Sequence, residues 1–191
     1  VHAANTYLLE QFLRDSINER SGPYGGSIAN RARLLLEVVR AVSDEIGAGR
    51  TGVRLSPLTT FGGSAPLDSN PQAVYGYVVE QLAPLGLAYL HMIEGETGGP
   101  RQPEGAPAFD YAALRRAFPG AWMVNNGLSR ADGLDAVASG AADIVAYGRP
   151  FISNPDLVRR LKEDAPLNAL RADKLYGGGA EGYTDYPFLK D

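Results

Sequence analysis

The stretch that decides the fold is Ser27-Ile28-Ala29-Asn30-Arg31-Ala32-Arg33-Leu34-Leu35-Leu36-Glu37-Val38-Val39-Arg40-Ala41-Val42-Ser43-Asp44-Glu45-Ile46-Gly47, followed after a short turn by Gly52-Val53-Arg54-Leu55-Ser56. Ser27 is a good N-cap, and apolar side chains recur at three- and four-residue steps until Gly47, so the first part predicts an amphipathic helix. The second part is short and apolar, which predicts a buried strand. A helix followed by a buried strand is the repeating unit of parallel β/α architecture.

The same alternation continues along the rest of the chain. Further helix starts carry a capping residue or an N-terminal proline: Asn70-Pro71, Asp110, Ser129 with Asp132 three residues on, and Asn154-Pro155. Further apolar runs at 87–92, 122–125 and 144–147 are predicted strands. A closed (β/α)₈ barrel takes about 250 residues, whereas this chain of 191 residues shows four full units and the tail of one earlier strand.

We therefore predict an α/β fold that is half of a (β/α)₈ TIM barrel. The alternative is an open doubly wound sheet. That alternative is weakened because no G-x-G-x-x-G turn follows a strand in this sequence.

Composition limits the chemistry that the chain can perform. It has 45% hydrophobic residues, a net charge of −4, no cysteine and only two histidines, His2 and His91. No apolar run reaches about 18 residues, so no membrane-spanning helix is predicted, and no Lys/Arg cluster favours nucleic acid. We expect a soluble, cytoplasmic protein whose chemistry comes from oxygen and nitrogen groups or from a bound cofactor.

Five blocks of sequence carry a family resemblance. They are His2-Ala3-Ala4-Asn5-Thr6-Tyr7-Leu8-Leu9-Glu10-Gln11-Phe12-Leu13, Tyr24-Gly25-Gly26-Ser27-Ile28-Ala29-Asn30-Arg31-Ala32-Arg33, Gly52-Val53-Arg54-Leu55-Ser56-Pro57, Tyr147-Gly148-Arg149 with Asn154-Pro155, and Tyr176-Gly177-Gly178-Gly179-Ala180-Glu181-Gly182-Tyr183-Thr184-Asp185-Tyr186-Pro187. In this order they resemble the Old Yellow Enzyme family of FMN-dependent ene reductases. The resemblance implies that residues 1–191 are the C-terminal half of one barrel domain, from the end of strand four to strand eight, with FMN as cofactor and NADPH or NADH as hydride donor.

Two polar residues lie three apart where a strand is expected to end. His2 and Asn5 can both donate hydrogen bonds to one oxygen at the mouth of a barrel, although by spacing alone they are more often ordinary turn residues. The resemblance implies that this pair binds the carbonyl or nitro oxygen of the substrate, and that Tyr7 delivers a proton to its α-carbon. Asn5 stands where some members carry His, and Thr6 stands where Gly is common.

Arg54 interrupts the apolar strand 52–56. An arginine in a buried strand is costly unless an anion faces it, so an internal salt bridge and a ligand contact are equally good interpretations of this position. The resemblance implies that Arg54 lies beside the flavin pyrimidine.

A phosphate site is expected where the last two strands end. Barrels of this kind commonly bind phosphate at the loops after strands seven and eight, which here are Asn125-Asn126-Gly127 and Gly148-Arg149. Glycine lets backbone N–H groups approach a phosphate, and Arg149 adds charge. We therefore assign Asn126, Gly127, Gly148 and Arg149 to cofactor binding.

Two further residues complete the sequence-based assignments. Tyr176 opens a glycine-rich stretch that composition alone predicts to be a flexible tail, whereas the resemblance implies that it folds over the barrel mouth and contacts the substrate. His91 lies within the apolar run 87–92, so we expect a hydrogen-bonded core histidine without a ligand role.

The resemblance implies an alkene reductase that acts by a ping-pong mechanism on enones, maleimides or nitroalkenes. Two alternatives remain open: another FMN barrel similar to dihydroorotate dehydrogenase, and a non-catalytic half-barrel scaffold that needs a complementing chain. The start at Val1-His2 resembles the end of a strand. We therefore expect these residues to pack, through unpaired strand edges and an apolar inner face, against an N-terminal half-barrel from the same or a second chain, with a homo-oligomer as a further partner arrangement.

Overall fold

A parallel sheet forms the centre of the structure. The computed structural model describes residues 1–61 and 63–190. Its strands are β1 (His2–Ala3), β2 (Gly52–Leu55), β3 (Tyr89–Ile93), β4 (Ala121–Asn125) and β5 (Ile144–Val145). They lie side by side in chain order, every pair is parallel, and within the described residues β1 and β5 are open edges. Four strands preceded by a two-residue strand confirm the predicted half-barrel pattern.

Helices alternate with these strands. They are α1 (Leu8–Leu13), α2 (Ile28–Ile46), α3 (Pro71–Leu82), α4 (Tyr111–Ala117), α5 (Arg130–Ala138), α6 (Arg149–Ser153) and α7 (Leu157–Glu163), with 3₁₀ turns at Ala48–Arg50, Ala83–Leu85 and Ala172–Lys174. The predicted caps of α2 to α5 are confirmed, because the side chains of Ser27, Asn70, Asp110 and Ser129 each accept a hydrogen bond from the backbone N–H three residues later. Ser129 and Asp132 form the expected capping box.

Several element boundaries differ from the predictions. The last helix begins at Leu157, because the buried Asn154 side chain donates to the Pro150 carbonyl (2.8 Å) and accepts from the Asn168 N–H (2.7 Å) instead of capping a helix. The third strand runs over Tyr89–Ile93 and the fifth ends at Val145. Helix α1 was not predicted; it has only six residues and no side-chain cap.

The strands present two different faces. Their buried apolar residues pack with the helices into one core, and the strand members of that core are Val53, Leu55, Leu90, Met92, Trp122 and Val124. The alternate residues point to the other face, where one row of neighbouring positions contains His2, Arg54, His91, Met123 and Ile144. The inner face is therefore mixed, with Met123 and Ile144 in the same row as His2, Arg54 and His91, whereas a uniformly apolar face was expected. The period of two along a strand sends the alternate residues to this face.

A buried ion pair fastens the turn after β1 to the sheet. The Glu10 carboxylate lies 3.1 Å from the Arg14 guanidinium, and both side chains are fully buried. Glu10 also accepts hydrogen bonds from the Ser56 hydroxyl (2.6 Å) and the Tyr75 hydroxyl (2.6 Å), and from the Thr6 N–H (2.5 Å). These contacts join the end of β2, helix α3 and the β1–α1 turn. Removing one partner of the ion pair would leave an uncompensated buried charge, which is strongly destabilising.

Apolar side chains remain exposed beside the open edge at β5. They belong to α5, β5, α6 and α7: Leu134, Val137, Ile144, Phe151, Ile152 and Val158. Hydrophobic spacing places Leu134 and Val137 on one side of α5, yet about half of each side chain is exposed (55% and 49%). Among the described residues, no helix is both long enough and apolar enough to cross a membrane.

Candidate functional site

The sequence-predicted site residues other than Tyr176 lie at one edge of the sheet. Because all five strands are parallel, their carboxyl ends share that edge, and the loops that follow them converge there. These loops cover residues 4–7, 56–61, 94–99, 126–128 and 146–148.

The structure brings His2, Asn5 and Tyr7 into one turn. The centroids of the His2 and Tyr7 rings are 5.0 Å apart, and the Tyr7 side chain is 61% exposed. The Asn5 N–H donates to the Ser56 hydroxyl (2.7 Å). Among the described residues, the His2 ring nitrogens, the Asn5 Nδ2 amide and the Tyr7 hydroxyl have no hydrogen-bond partner. Three polar groups of the predicted substrate site are therefore available to a ligand.

The backbone of this turn is strained at Thr6, one of the positions where the sequence departs from the family pattern. Asn5 and Thr6 both have a φ of +57°. This left-handed conformation is costly for a β-branched residue and easy for glycine, which is the common residue at position 6 in the family that the sequence resembles. In this chain Thr6 is held there by its N–H bond to Glu10, and by its carbonyl, which accepts from the Gln11 side-chain amide (2.7 Å).

The basic groups of the inner face occupy neighbouring positions. Arg54 is half-buried, its Nε atom has no partner, and no carboxylate among the described residues pairs with it. The alternative of an internal salt bridge therefore finds no support. Partial burial lowers the pKa of His2, and the Arg54 charge lowers it further, so a neutral imidazole faces the site at pH 7.

His91 is hydrogen-bonded, as expected, but it lies on the inner face next to Arg54 and not in the helix-packed core. Its Nε2 atom is 2.9 Å from the Asn125 Oδ1 atom. Burial, with a smaller contribution from the Arg54 charge, lowers the pKa of His91 to about 4. The ring is therefore neutral at pH 7 and donates its Nε2 proton to Asn125.

A cavity of about 420 Å³ opens between three of the loops. It is lined by Thr97, Gly98, Gly99, Asn125, Asn126, Gly127, Leu128, Ala146, Tyr147, Gly148, Arg149 and Pro150. Three of the four predicted phosphate residues, Gly127, Gly148 and Arg149, lie at its wall with exposed surface. At Gly148 the φ is −97°, and no protein atom lies within 4 Å of the position that a Cβ would take. Protein atoms therefore do not crowd this position, which leaves room for a ligand to approach the backbone.

The Asn126 side chain is used differently from what its assignment to cofactor binding suggests. It is only 5% exposed. Its amide donates to the carbonyls of Glu94 (2.6 Å) and Glu96 (2.8 Å), and its oxygen accepts from the Gly98 N–H (3.1 Å). These bonds fix the 94–99 loop, so a direct contact of the Asn126 side chain with a cofactor is a prediction that the structure does not favour.

Tyr176 is not brought to the site. Its side chain is 94% exposed, so it cannot pack against His2 or Asn5 in this structure. The neighbouring residues Gly177 and Gly178 both have positive φ values and provide no apolar contact that would hold the ring. A role of Tyr176 at the barrel mouth therefore stays a prediction.

Sequence reasoning missed the residues that support the substrate turn. Glu10, Ser56, Thr59 and Thr97 form two hydrogen-bonded groups around Asn5. One signal was present in the sequence: Glu10 and Arg14 lie four residues apart within a largely apolar segment, which is the spacing of a helical ion pair.

Comparison with known proteins is consistent with this geometry. Residues 1–168 match the NADH:flavin oxidoreductase / NADH oxidase family. The chain is 44% identical over 195 residues to 12-oxophytodienoate reductase 2 of Arabidopsis thaliana, which covers 100% of this chain and 50% of that protein. The structure resembles the old yellow enzyme from Trypanosoma cruzi (TM-score 0.89, 37% identity, 99% and 49% of the two chains). It also resembles morphinone reductase in complex with tetrahydroNAD (TM-score 0.88, 40% identity, 100% and 50%).

The fold and the match together define the class of protein as a TIM-barrel flavoprotein of an FMN-binding family. The chain belongs to the NADH:flavin oxidoreductase / NADH oxidase family, which includes the Old Yellow Enzymes. It spans about half the length of the relatives that it matches and has the fold of the C-terminal half of their barrel. FMN is the cofactor of the family, and a nicotinamide nucleotide is its reductant.

His91 gives the site a testable pH dependence. Its folded pKa of about 4 lies below the ordinary value of 6.5, so the unfolded chain binds the proton more tightly than the folded one. The folded state is therefore destabilised, relative to its stability above pH 6.5, as the pH falls to 4, by roughly 3 kcal/mol. Urea unfolding of the complete-barrel protein and of its His91→Gln variant at several pH values should show a smaller loss of stability for the variant. Equal losses in the two proteins would contradict the buried neutral histidine.

Proposed function

We propose that these residues form the substrate and cofactor face of an NAD(P)H-dependent ene reductase that carries FMN. The observation that carries the proposal is the set of unpartnered polar groups at one edge of the sheet: the Arg54 Nε atom, and the free groups of His2, Asn5 and Tyr7. A buried donor without an acceptor is uncommon in folded proteins, and a bound anionic or carbonyl group would satisfy it.

FMN fits the residues that are present on two counts. The Arg54 Nε atom is buried without an acceptor, and the space over Gly148 is empty. Arg54 would hold the polar edge of the flavin ring, while Gly127, Gly148 and Arg149 would hold the phosphate. When bound, FMN supplies the capacity to take hydride from NADH or NADPH and pass it to an alkene.

His2 and Asn5 would hold the substrate oxygen. Both side chains present N–H donors, and the depressed pKa of His2 keeps it a neutral donor. Negative charge develops on that oxygen as the conjugated double bond is reduced, so fixed donors lower the barrier. Enones, maleimides and nitroalkenes share such an oxygen in conjugation with a C=C bond, and these are the proposed substrates.

Tyr7 would supply the proton. Its hydroxyl is accessible and has no partner among the described residues. A phenol is neutral at pH 7, so it can donate a proton to a carbanion-like α-carbon. The centroid of its ring lies 5.0 Å from that of the His2 ring, and this short distance supports a proton donor next to the oxygen-binding group.

We further propose that the site is active only in a complete barrel. The sheet has two open edges, and apolar side chains are exposed on α5, β5 and α7 beside one of them. The chain also matches only about half of the length of relatives such as 12-oxophytodienoate reductase 2 of Arabidopsis thaliana and the old yellow enzyme from Trypanosoma cruzi. An N-terminal half-barrel from the same polypeptide or from a second chain would pair both edges and cover those side chains.

The two alternative functions are separated by different observations. The family match favours the Old Yellow Enzyme type over another FMN barrel. A non-catalytic scaffold would make no use of the free donors, and flavin absorbance of the purified complete protein distinguishes it from an enzyme.

Replacing Arg54 tests the cofactor assignment. Arg54→Ala should raise the dissociation constant for FMN about 10-fold or more, because a hydrogen bond to a charged group is lost. Arg54→Lys should be intermediate, since it keeps the charge without the planar fork. Arg115→Ala is the matched control: its Nε atom is also buried without a partner, but Arg115 pairs with Asp143 away from the inner face. Fluorescence titration with FMN that gives equal constants for wild type and Arg54→Ala would refute the assignment.

Replacing Tyr7 tests the proton donor. Tyr7→Phe keeps the ring and removes only the hydroxyl, so alkene reduction should slow by about 10²-fold or more while flavin reduction by the nicotinamide nucleotide stays near the wild-type rate. Stopped-flow absorbance measures the two half-reactions separately. If both slow equally, Tyr7 has a structural role and the assignment is wrong.

A further inference from the structure

Asn5 is held by a second set of contacts, which come from the loop after β3. The Thr97 hydroxyl lies 2.7 Å from the Asn5 Oδ1 atom. The fully buried Thr59 has its hydroxyl 2.8 Å from that of Thr97 and 3.2 Å from the Gly95 carbonyl. Asn5 is thus joined through two hydroxyl groups to the loops that follow β2 and β3.

Counting protons fixes the direction of these bonds. An amide oxygen only accepts, so Thr97 gives its single hydroxyl proton to Asn5 Oδ1. The 2.8 Å contact then needs the Thr59 proton, and Gly95 is left with the longer contact. Because its oxygen is occupied, the Asn5 side chain presents both N–H groups of Nδ2 to the site.

Thr97 itself lies on a firmly held loop. The Glu96 carboxylate accepts from the Thr60 N–H (2.7 Å), the Thr60 hydroxyl (2.7 Å) and the Phe61 N–H (2.8 Å). On the other side, Asn126 binds the backbone of Glu94, Glu96 and Gly98. A hydroxyl on such a loop can fix a neighbouring amide, because little of the loop's freedom remains to be lost when the bond forms.

We propose that Thr97 is a positioning residue, which orients the Asn5 amide so that its N–H groups, and not its oxygen, meet the substrate oxygen. The inference rests on the proposed function of Asn5 as an oxygen-binding donor. Without the Thr97 hydroxyl, the amide is free to rotate and to turn its oxygen toward a developing negative charge, which would oppose the reaction.

The test compares FMN-loaded holoenzyme variants. Thr97→Val removes the hydroxyl at nearly constant shape, and Thr97→Ser restores it. Thr51→Val is the matched control, since the Thr51 hydroxyl also donates a hydrogen bond, to the Gly47 carbonyl (3.1 Å), but lies at the opposite end of β2. The measurements are FMN content, the rate of flavin reduction, the dissociation constant for cyclohexenone, and the rate of its reduction.

Thr97→Val should weaken cyclohexenone binding or slow its reduction by about 3- to 10-fold, which is the usual effect of losing one hydrogen bond. FMN content and flavin reduction should not change. Thr97→Ser should recover most of the loss, and Thr51→Val should behave as wild type. The double variant Asn5→Ala/Thr97→Val should reduce cyclohexenone no more slowly than Asn5→Ala alone, because the Thr97 hydroxyl acts only through Asn5.

The contrary outcomes are distinct. If Asn5→Ala is impaired while Thr97→Val is as active as wild type or more active, the positioning role is wrong and the proposed function stands. If Asn5→Ala itself has wild-type kinetics, the proposed function of Asn5 and this inference both fail. Should Thr97→Val prove unstable, Thr97→Ala provides the same comparison. If the losses of activity in the Thr97 variant and in Asn5→Ala add independently in the double variant, the positioning role is wrong.

Discussion

The site depends on one buried carboxylate. Glu10 is fully buried beside Arg14, and its oxygens accept from Ser56, Tyr75 and the backbone of Thr6. A buried charge is tolerated only when its partners are in place, so this group fixes the distance between the β1–α1 turn, the end of β2 and helix α3. Burial, together with the nearby Glu10 charge, raises the pKa of Tyr75 well above its usual range, so Tyr75 remains a neutral donor. The left-handed turn that presents the substrate-binding groups persists because these bonds offset its backbone strain.

The inner face of the sheet is built for a bound group. Arg54 keeps its charge although partial burial lowers its pKa, because even a lowered guanidinium pKa stays far above pH 7. His2 and His91 on either side of it are neutral, so the row carries a single positive charge with a free Nε donor. Gly52 makes room for the Tyr89 ring, since a Cβ at position 52 would lie 2.4 Å from it. A positive, partly dry surface of this kind suits the electron-rich edge of a planar ligand.

Local chemistry made much of this structure predictable, and tertiary contacts account for the rest. Caps such as Ser27 and Ser129 act within a few residues, so the sequence alone places the helices that they begin. The direction in which Asn126 points depends on a loop some thirty residues earlier, and no local pattern reports it. The polar inner face was missed because short strands were interpreted as uniformly buried runs, although Arg54 already interrupted one of them. Tyr176 shows the opposite case, in which a resemblance predicted a contact that this structure does not make.

We infer that this chain is one half of an FMN barrel, and that the cofactor is held only when the barrel is complete. The direct test is to express residues 1–191 alone and with an N-terminal half-barrel taken from a full-length relative, and to follow gel filtration and flavin absorbance. We predict that the chain alone aggregates or self-associates without FMN, and that the pair elutes as a defined species with bound flavin. A well-folded monomer of residues 1–191 with stoichiometric FMN would contradict the claim.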